Sequence, residues 1–342
     1  MPEFETGSAG DNANVKRRTF VAGTVGVAAG VAVVPSSALA WNGPVGTPHP
    51  QELRAGLGSL VAMDSAHGGG DVRALAARHL ARIRRVIDTG TYSDAIGRKL
   101  RLLAGEMAEH CGWYCFDDLD HPAARSYWAE SLATARMLED RDLEVVVLAS
   151  LSLQALREEH SRYAYDLARA ARRRAEAMDS PMLLSIIAAR EARALAQMGD
   201  HTAAQGELAR AMKLYERADR GRPAPTWTAF HGPAELSTAQ GLVYLEAGRY
   251  QAAASFFRAA SAQCGDGYGR NRALYQLSLA GSLVRAGEVD EGAGQAVTGL
   301  RQLKEVSCGR ATERVKEVRD LLTTVDTATA REGAEALSRY AA

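Results

Sequence analysis

The residues with the greatest chemical reach in this 342-residue chain are its four cysteines and eight histidines. The cysteines stand at 111, 115, 264 and 308, with neither a CxxC pair nor a zinc spacing, so no structural zinc is expected. Cys111 and Cys115 lie four apart on one face of a predicted helix, a poor geometry for a disulfide. All four are expected to be small buried residues. His110 and His121 flank the first pair, but no partner stands one turn away in a ligating pattern. His67, His160, His201 and His231 fall in predicted turns and read as solvated. The stretch DSAHGGGDV over 64–72 contains a glycine run, yet no Walker pattern, and no GxGxxG follows a strand. It reads as a linker before a helix capped by Asp71. GxSxG and HExxH are absent. No catalytic residue, metal or cofactor is expected, which leaves binding as the chemistry to look for.

Charge excludes some partners. Lys plus Arg and Asp plus Glu balance at 41 each, so no global field draws in nucleic acid or an anionic membrane. The basic runs from Arg78 to Arg85 and from Arg169 to Arg174 are interleaved with alanine and balanced by nearby acids. They read as solvated helix faces. Without interleaved aromatics or a reading helix, direct nucleic-acid binding is not expected.

The elements that would carry a binding surface are repeats. In STAQGLVYLEAGRYQAAASFFRAA (237–260), Gly241, Tyr244, Gly248, Tyr250, Ala253, Phe257 and Ala260 fall at offsets 0, 3, 7, 9, 12, 16 and 19. This resembles the tetratricopeptide repeat, a helix-turn-helix unit. Gly241 and Ala253 are small where two helices would cross. Tyr244 and Phe257 fill the space beside them, and Gly248 supplies a left-handed residue at the helix end. The template recurs from Gly112 (Cys115, Ala124, Trp128, Ser131), Ser152 (Ala155, Ala164, Ala168, Ala171), Ala192 (Leu195, Gly199, Ala204, Leu208, Ala211) and Ala280 (Leu283, Gly287, Gly292, Ala296, Gly299). Its second-helix small residue falls at 124, 164, 204, 253 and 292, spacings of 40, 40, 49 and 39. Longer helices or longer connections would account for these spacings, and the widest holds the Pro-rich GRPAPTW at 221–227. The predicted fold is an all-α solenoid of about five units with flanking capping helices, since each unit buries its apolar face only by stacking.

Around the repeat domain, predicted over 71–325, the chain divides further. Residues 72–88 form a helix with Leu75, Leu80, Ile83 and Ile87 on its apolar face, and 93–111 an amphipathic helix leading into the first unit. A capping helix is predicted over 310–322, a C-terminal tail of weak helical character over 326–342, and a linker with a short helix over 41–70. Residues 1–14 read as a disordered polar tail. Residues 15–40 pair Lys16-Arg17-Arg18-Thr19-Phe20 with a 14-residue apolar run and Ala38-Leu39-Ala40. That is the pattern of a twin-arginine export signal with cleavage after Ala40, and the run is too short for a membrane span.

In such a stack the first helix of each unit lines the concave groove. Counting from the small crossing residue places Glu109, Trp113, Arg157, Arg193, Gln197, Thr238 and Arg285 on that side. The arginines suit carboxylates, and Trp113 suits an apolar anchor. A peptide or protein ligand in the groove is the expected partner, and a homo-oligomer is an open alternative.

Two stretches go beyond generic repeat chemistry: 112–156, and 226–253 with the tail CGRATERVKEVRDLL. Together they resemble the carboxy-terminal half of actinobacterial regulators, Streptomyces members among them, that join a helix-turn-helix DNA-binding domain to tetratricopeptide repeats. The resemblance covers roughly 50–325. It implies a non-enzymatic sensor or scaffold within a regulator of development or secondary metabolism. In that family a signal-like stretch sits between the two domains, which implies a cytoplasmic protein. The 14 residues before this chain's own signal-like stretch are too short to form a DNA-binding domain. The alternative is an exported, extracytoplasmic repeat scaffold or assembly factor.

Overall fold

The computed structural model describes residues 44–67, 69–218, 224–265, 268–303 and 308–341. The readings made for 1–14 and 15–40 lie outside the described residues. Five helical hairpins follow one another: α3 (Asp94–Asp117) with α4 (His121–Leu138), α5 (Arg141–Arg157) with α6 (Ser161–Glu176), α7 (Pro181–Gln197) with α8 (His201–Tyr215), α9 (Pro233–Glu246) with α10 (Tyr250–Gln263), and α11 (Gly269–Arg285) with α12 (Val289–Gln302). They are capped by α1 (Pro48–His67) and α2 (Gly69–Thr89) at one end, and by α13 (Gly309–Thr323) and α14 (Ala328–Ala341) at the other. The architecture is an all-α solenoid of five units between helical caps.

The turns set the period. Left-handed backbone occurs at Leu119, Glu139, Glu159, Asp179 and Gly199, every twentieth residue, and again at Gly248 and Gly287. Each of these residues follows the end of one helix, and the next residue stands at the N-cap position of the following one. Asp120, Asp140 and Asp200 accept from the backbone N–H groups of Ala123, Leu143 and Ala203 at 3.1, 2.9 and 3.0 Å, which satisfies an orphan donor at the start of each of α4, α5 and α8. Connections are therefore short, and longer helices account for the 40-residue period. The 49-residue spacing contains a 3₁₀ turn over Thr226–Phe230.

Within each hairpin the two helices cross at complementary sizes. A Cβ on Gly112 would stand 2.5 Å from the Trp128 indole, and one on Gly241 would stand 2.8 Å from the Phe257 ring. The corresponding pairs are Ser152 with Ala168, Ala192 with Leu208, and Ala280 with Ala296. Glycine faces an aromatic ring, and a larger first residue faces a smaller second one. Ala124, Ala164, Ala204 and Ala253 are fully buried, as close packing at a crossing requires. Buried polar groups tie the crossings. Trp128 Nε1 donates to Glu109 O at 3.1 Å, and the hydroxyls of Ser131, Ser152 and Ser185 donate to the carbonyls of Gly105, Ala164 and Ala211 at 2.7–2.8 Å.

Several local readings differ from the structure. Pro48–His67 is one 20-residue helix where a linker with a short helix is predicted. Pro48 sits in its first turn, where proline is tolerated. Gly56 lets α2 approach closely, because a Cβ there would meet the His79 imidazole at 2.5 Å. The helix α2 begins at Gly69, so position 71 lies inside it and not at its N-cap position. Its buried stripe is Val72, Ala76, Leu80 and Ile83, whereas Leu75 is 37% exposed. The predicted tail is α14, which packs on α12 and α13 through buried Ala330 and Leu337. The basic runs face acids on neighbouring helices: Arg82 pairs with Glu52, Arg84 with Glu130, Arg172 with Glu191 and Arg174 with Glu144. All four cysteines are buried, and burial pushes the Cys111 thiol up to about 12 and Cys308 to about 11.

The solenoid curls until its ends meet. Arg270, in the first turn of α11, donates to Asp64 of α1 at 2.7 and 3.2 Å and to Asp117 of α3 at 3.1 Å. Arg310, in the first turn of α13, donates through Nε to the same Asp117 at 2.7 Å. It also lies over the rings of Trp113 and Phe116, at 5.2 and 5.1 Å from their centroids. Burial alone would push the Asp117 carboxyl up, but Arg310 and Arg270 together outweigh it and hold it below its ordinary range.

Candidate functional site

The closure decides which parts of the inner side remain available. The seven residues counted onto the groove do not form one surface. Glu109 is buried and accepts from Ser150 of α5 at 3.0 Å. Trp113 is covered by Arg310. Arg157 is ion-paired with Glu313 of α13. Gln197 donates to Leu156 O at 3.1 Å, so it braces α7 against α5. Arg285 is exposed and donates to its own Gly281 O at 3.2 Å. Glu109, Trp113 and Arg157, read as ligand-facing, are thus engaged by the chain itself. Glu109 is taken up by the neighbouring α5, and Trp113 and Arg157 by α13, which returns to them through Arg310 and Glu313.

Arg193 and Thr238 are brought together. They line a recess between α7, α9 and the end of the 3₁₀ turn, with Ile186, Arg190, His231 and Glu235 among the other walls. None of those four other walls was among the sequence-predicted site residues. Arg190 lies one turn before Arg193 on the same helix face and is legible by the same count. Glu235 accepts from the Tyr275 hydroxyl of α11. Thr238 donates to Ala234 O at 2.8 Å.

His231, read as solvated, is 7% exposed. The Ser185 hydroxyl spends its proton on Ala211 O, so it accepts from His231 Nε2–H at 2.9 Å. That bond fixes the neutral tautomer with Nδ1 unprotonated. Tyr215 meets the ring edge-on at 5.9 Å. Burial, with the Arg190 charge adding to it, lowers the imidazole to about 4. The turn was correctly placed in sequence, but nothing in it showed that it folds inward onto α7.

A pH dependence follows. The unfolded chain takes up a proton on His231 near pH 6.5, and the folded chain only near 4. Stability from this group is therefore complete above about pH 6.5 and is lost as pH falls toward 4. The difference in unfolding free energy between the parent and His231→Gln is expected to change by about 2 kcal/mol between pH 7.5 and 5. Urea titrations at the two pH values check this, and a pH-independent difference would refute a buried neutral imidazole.

The electrostatics of the recess are lopsided. Burial lowers Arg193 to about 9, with Arg190 the next contributor, and burial also lowers Arg190. Arg157 is lowered to about 10 by burial and then by Arg314 and Arg310. On the opposite face of α7 the fully buried Glu191 meets Arg172 at 3.0 Å and Arg210 at 3.8 Å, and burial still pushes its carboxyl up to about 7. The helix thus carries its acid behind and its cations toward the inside of the curl. Among the described residues no group of three His, Cys, Asp or Glu side chains is placed to hold a metal ion, and no helix is long and apolar enough to cross a membrane.

Neither a family model nor a curated protein sequence matches the chain. Among solved structures it is similar to a Rap protein complexed with Competence and Sporulation Factor. The TM-score is 0.50 and the identity 12%, over 85% of this chain and 97% of that one. It is also similar to BtubC (BKLC) from P. vanneervenii, with a TM-score of 0.46 and 17% identity, over 67% of this chain and 89% of that one. At 12% identity the likeness to the Rap protein shows the fold alone, an all-α helical repeat.

Proposed function

We propose that this chain is a non-enzymatic helical-repeat module that binds a peptide on the inner side of its curl and serves as the sensor part of a regulatory protein. The observation that carries the reading is the recess between α7 and α9. It is the stretch of the inner side where two cations face inward without an ion-pair partner among the described residues. The Rap protein to which the chain is similar was solved with a bound factor, which supports a binding role for the same architecture here. The resemblance of 112–156 and 226–253 to regulators with helix-turn-helix and tetratricopeptide domains supports the regulatory half of the proposal. A ligand would act by favouring one curvature of the solenoid, through differential affinity for two shapes.

The proposal places the protein in the cytoplasm with residues 15–40 retained. Native mass spectrometry of untagged protein from its host tests both parts. The expected result is a chain mass that retains residues 15–40, with peptide-sized adducts after incubation with host peptide extract. A chain beginning at Trp41 would move the protein to the export alternative, an extracytoplasmic scaffold. Absence of any adduct would count against peptide binding.

A further inference from the structure

We infer that Arg190 and Arg193 form an anion site that receives a carboxylate of the bound peptide. This rests on the peptide-binding reading above and names the chemistry of its ligand. Both arginines enter the recess from α7, and among the described residues neither has an ion pair or a hydrogen bond. Arg190 Nε is closed off from solvent with no acceptor. Other arginines of the inner side are matched: Arg157 with Glu313, Arg270 with Asp64 and Asp117, Arg310 with Asp117, and Arg314 with Glu317. In the recess, Glu235 is already engaged by Tyr275, and burial together with the Arg190 charge keeps His231 neutral. Glu246 and Glu235 offset these two guanidiniums only from a distance, so among the described residues neither cation has a contacting counter-ion in a partly dehydrated space, which is costly.

The geometry selects among anions. Side chains three apart on a helix are neighbours, so two planar donor forks can converge on one carboxylate. The recess holds about 30 Å³, room for a head group and not for a whole residue. Ile186, Phe230 and Leu242 wall it on the apolar side, which favours an aliphatic or aromatic side chain next to the carboxylate. Burial and then the neighbouring Arg190 lower Arg193 to about 9, and a bound carboxylate would oppose that shift. The carboxylate can come from a peptide C-terminus or from an Asp or Glu side chain.

A random hexapeptide library tests the inference in four forms: free-acid or amidated C-termini, with or without Asp and Glu. The full chain is expected to retain carboxylate-bearing peptides at least tenfold over amidated, acid-free ones. The amidated and acid-free arms separate the two sources. Arg190→Met with Arg193→Met is expected to lose that enrichment at least tenfold while melting no lower than the parent, because it removes unpaired half-buried cations. Arg162→Gln, on the exposed face of α6, is expected to change nothing. Retention of amidated, acid-free peptides, or equal retention by the double variant, would overturn the anion site and leave peptide binding standing. If the parent retains no peptide, the peptide reading fails, and the site is judged by arginine Nε–H resonances titrated with N-acetylaspartate. Shifts at residues 190 and 193 sustain it, and unmoved resonances overturn it.

Discussion

Asp117→Ala is expected to destabilise the protein by about 3–5 kcal/mol and to release the C-terminal cap from the N-terminal units. Asp117 is 1% exposed and accepts from Arg310 and Arg270 at once. Removing it leaves two guanidiniums beside each other in a site with little water. Arg270 keeps Asp64, but Arg310 keeps only the faces of Trp113 and Phe116. The helix α13 should therefore loosen first. Hydrogen exchange over 308–320 is expected to accelerate more than exchange over α7, and the urea midpoint to fall. A second change, Arg310→Leu in the same chain, is expected to recover part of the loss, since it removes a stranded cation. Because the Asp117 carboxyl is held below its ordinary range, its contribution is present above about pH 3.8 and is lost as the pH falls through its lower folded value. A cost below about 1 kcal/mol with unchanged exchange at α13 would mean that the ends do not lock the curl.

The second large effect concerns the crossing of α3 and α4. Trp128→Leu alone is expected to cost about 3 kcal/mol, because it empties space beside Gly112 and forfeits the indole bond to Glu109 O. Gly112→Ala alone is expected to cost about 2 kcal/mol by driving a methyl group into the indole. The double variant recreates the Ala192 and Leu208 pair of the α7–α8 crossing, so it is expected to cost clearly less than the two single costs combined. Chemical denaturation of all four proteins in a double-mutant cycle measures that coupling. Strict additivity would show that the size pairing seen along the solenoid is coincidental.

What was legible before any coordinates was local. The small residues at 124, 164, 204, 253 and 292, and the partners sixteen residues beyond each first-helix crossing, mark where two neighbouring helices must touch. Such contacts lie within one 40-residue unit, so their constraints stay close together in the chain. The left-handed positions at Gly199, Gly248 and Gly287 were readable because glycine advertises that backbone state. The equivalent Leu119, Glu139, Glu159 and Asp179 were not, because their side chains carry no such mark and the regular 20-residue spacing alone imposes the conformation. The linker predicted over 41–70 hid α1, because Gly56 and Gly58 lower helix propensity, and the packing of Gly56 against His79 is a tertiary gain.

The site divides in the same way. Sequence by itself showed that first helices carry arginine, and its count put Arg193 and Thr238, which line one recess, on the same side. It also determined the fold class, since an apolar face that recurs every unit can be buried only by stacking. Only the tertiary structure decided which arginines are spent. The partnership of Asp117 with Arg270 and Arg310 spans 153 and 193 residues, and that of Arg157 with Glu313 spans 156. These meetings depend on curvature summed over five units, and no single unit encodes that sum. The inward fold of His231 likewise depends on where the 3₁₀ turn lands on α7. Local patterning builds each hairpin, whereas accumulated rotation chooses the long-range ion pairs and so leaves Arg190 and Arg193 as the unmatched cations of the inner recess.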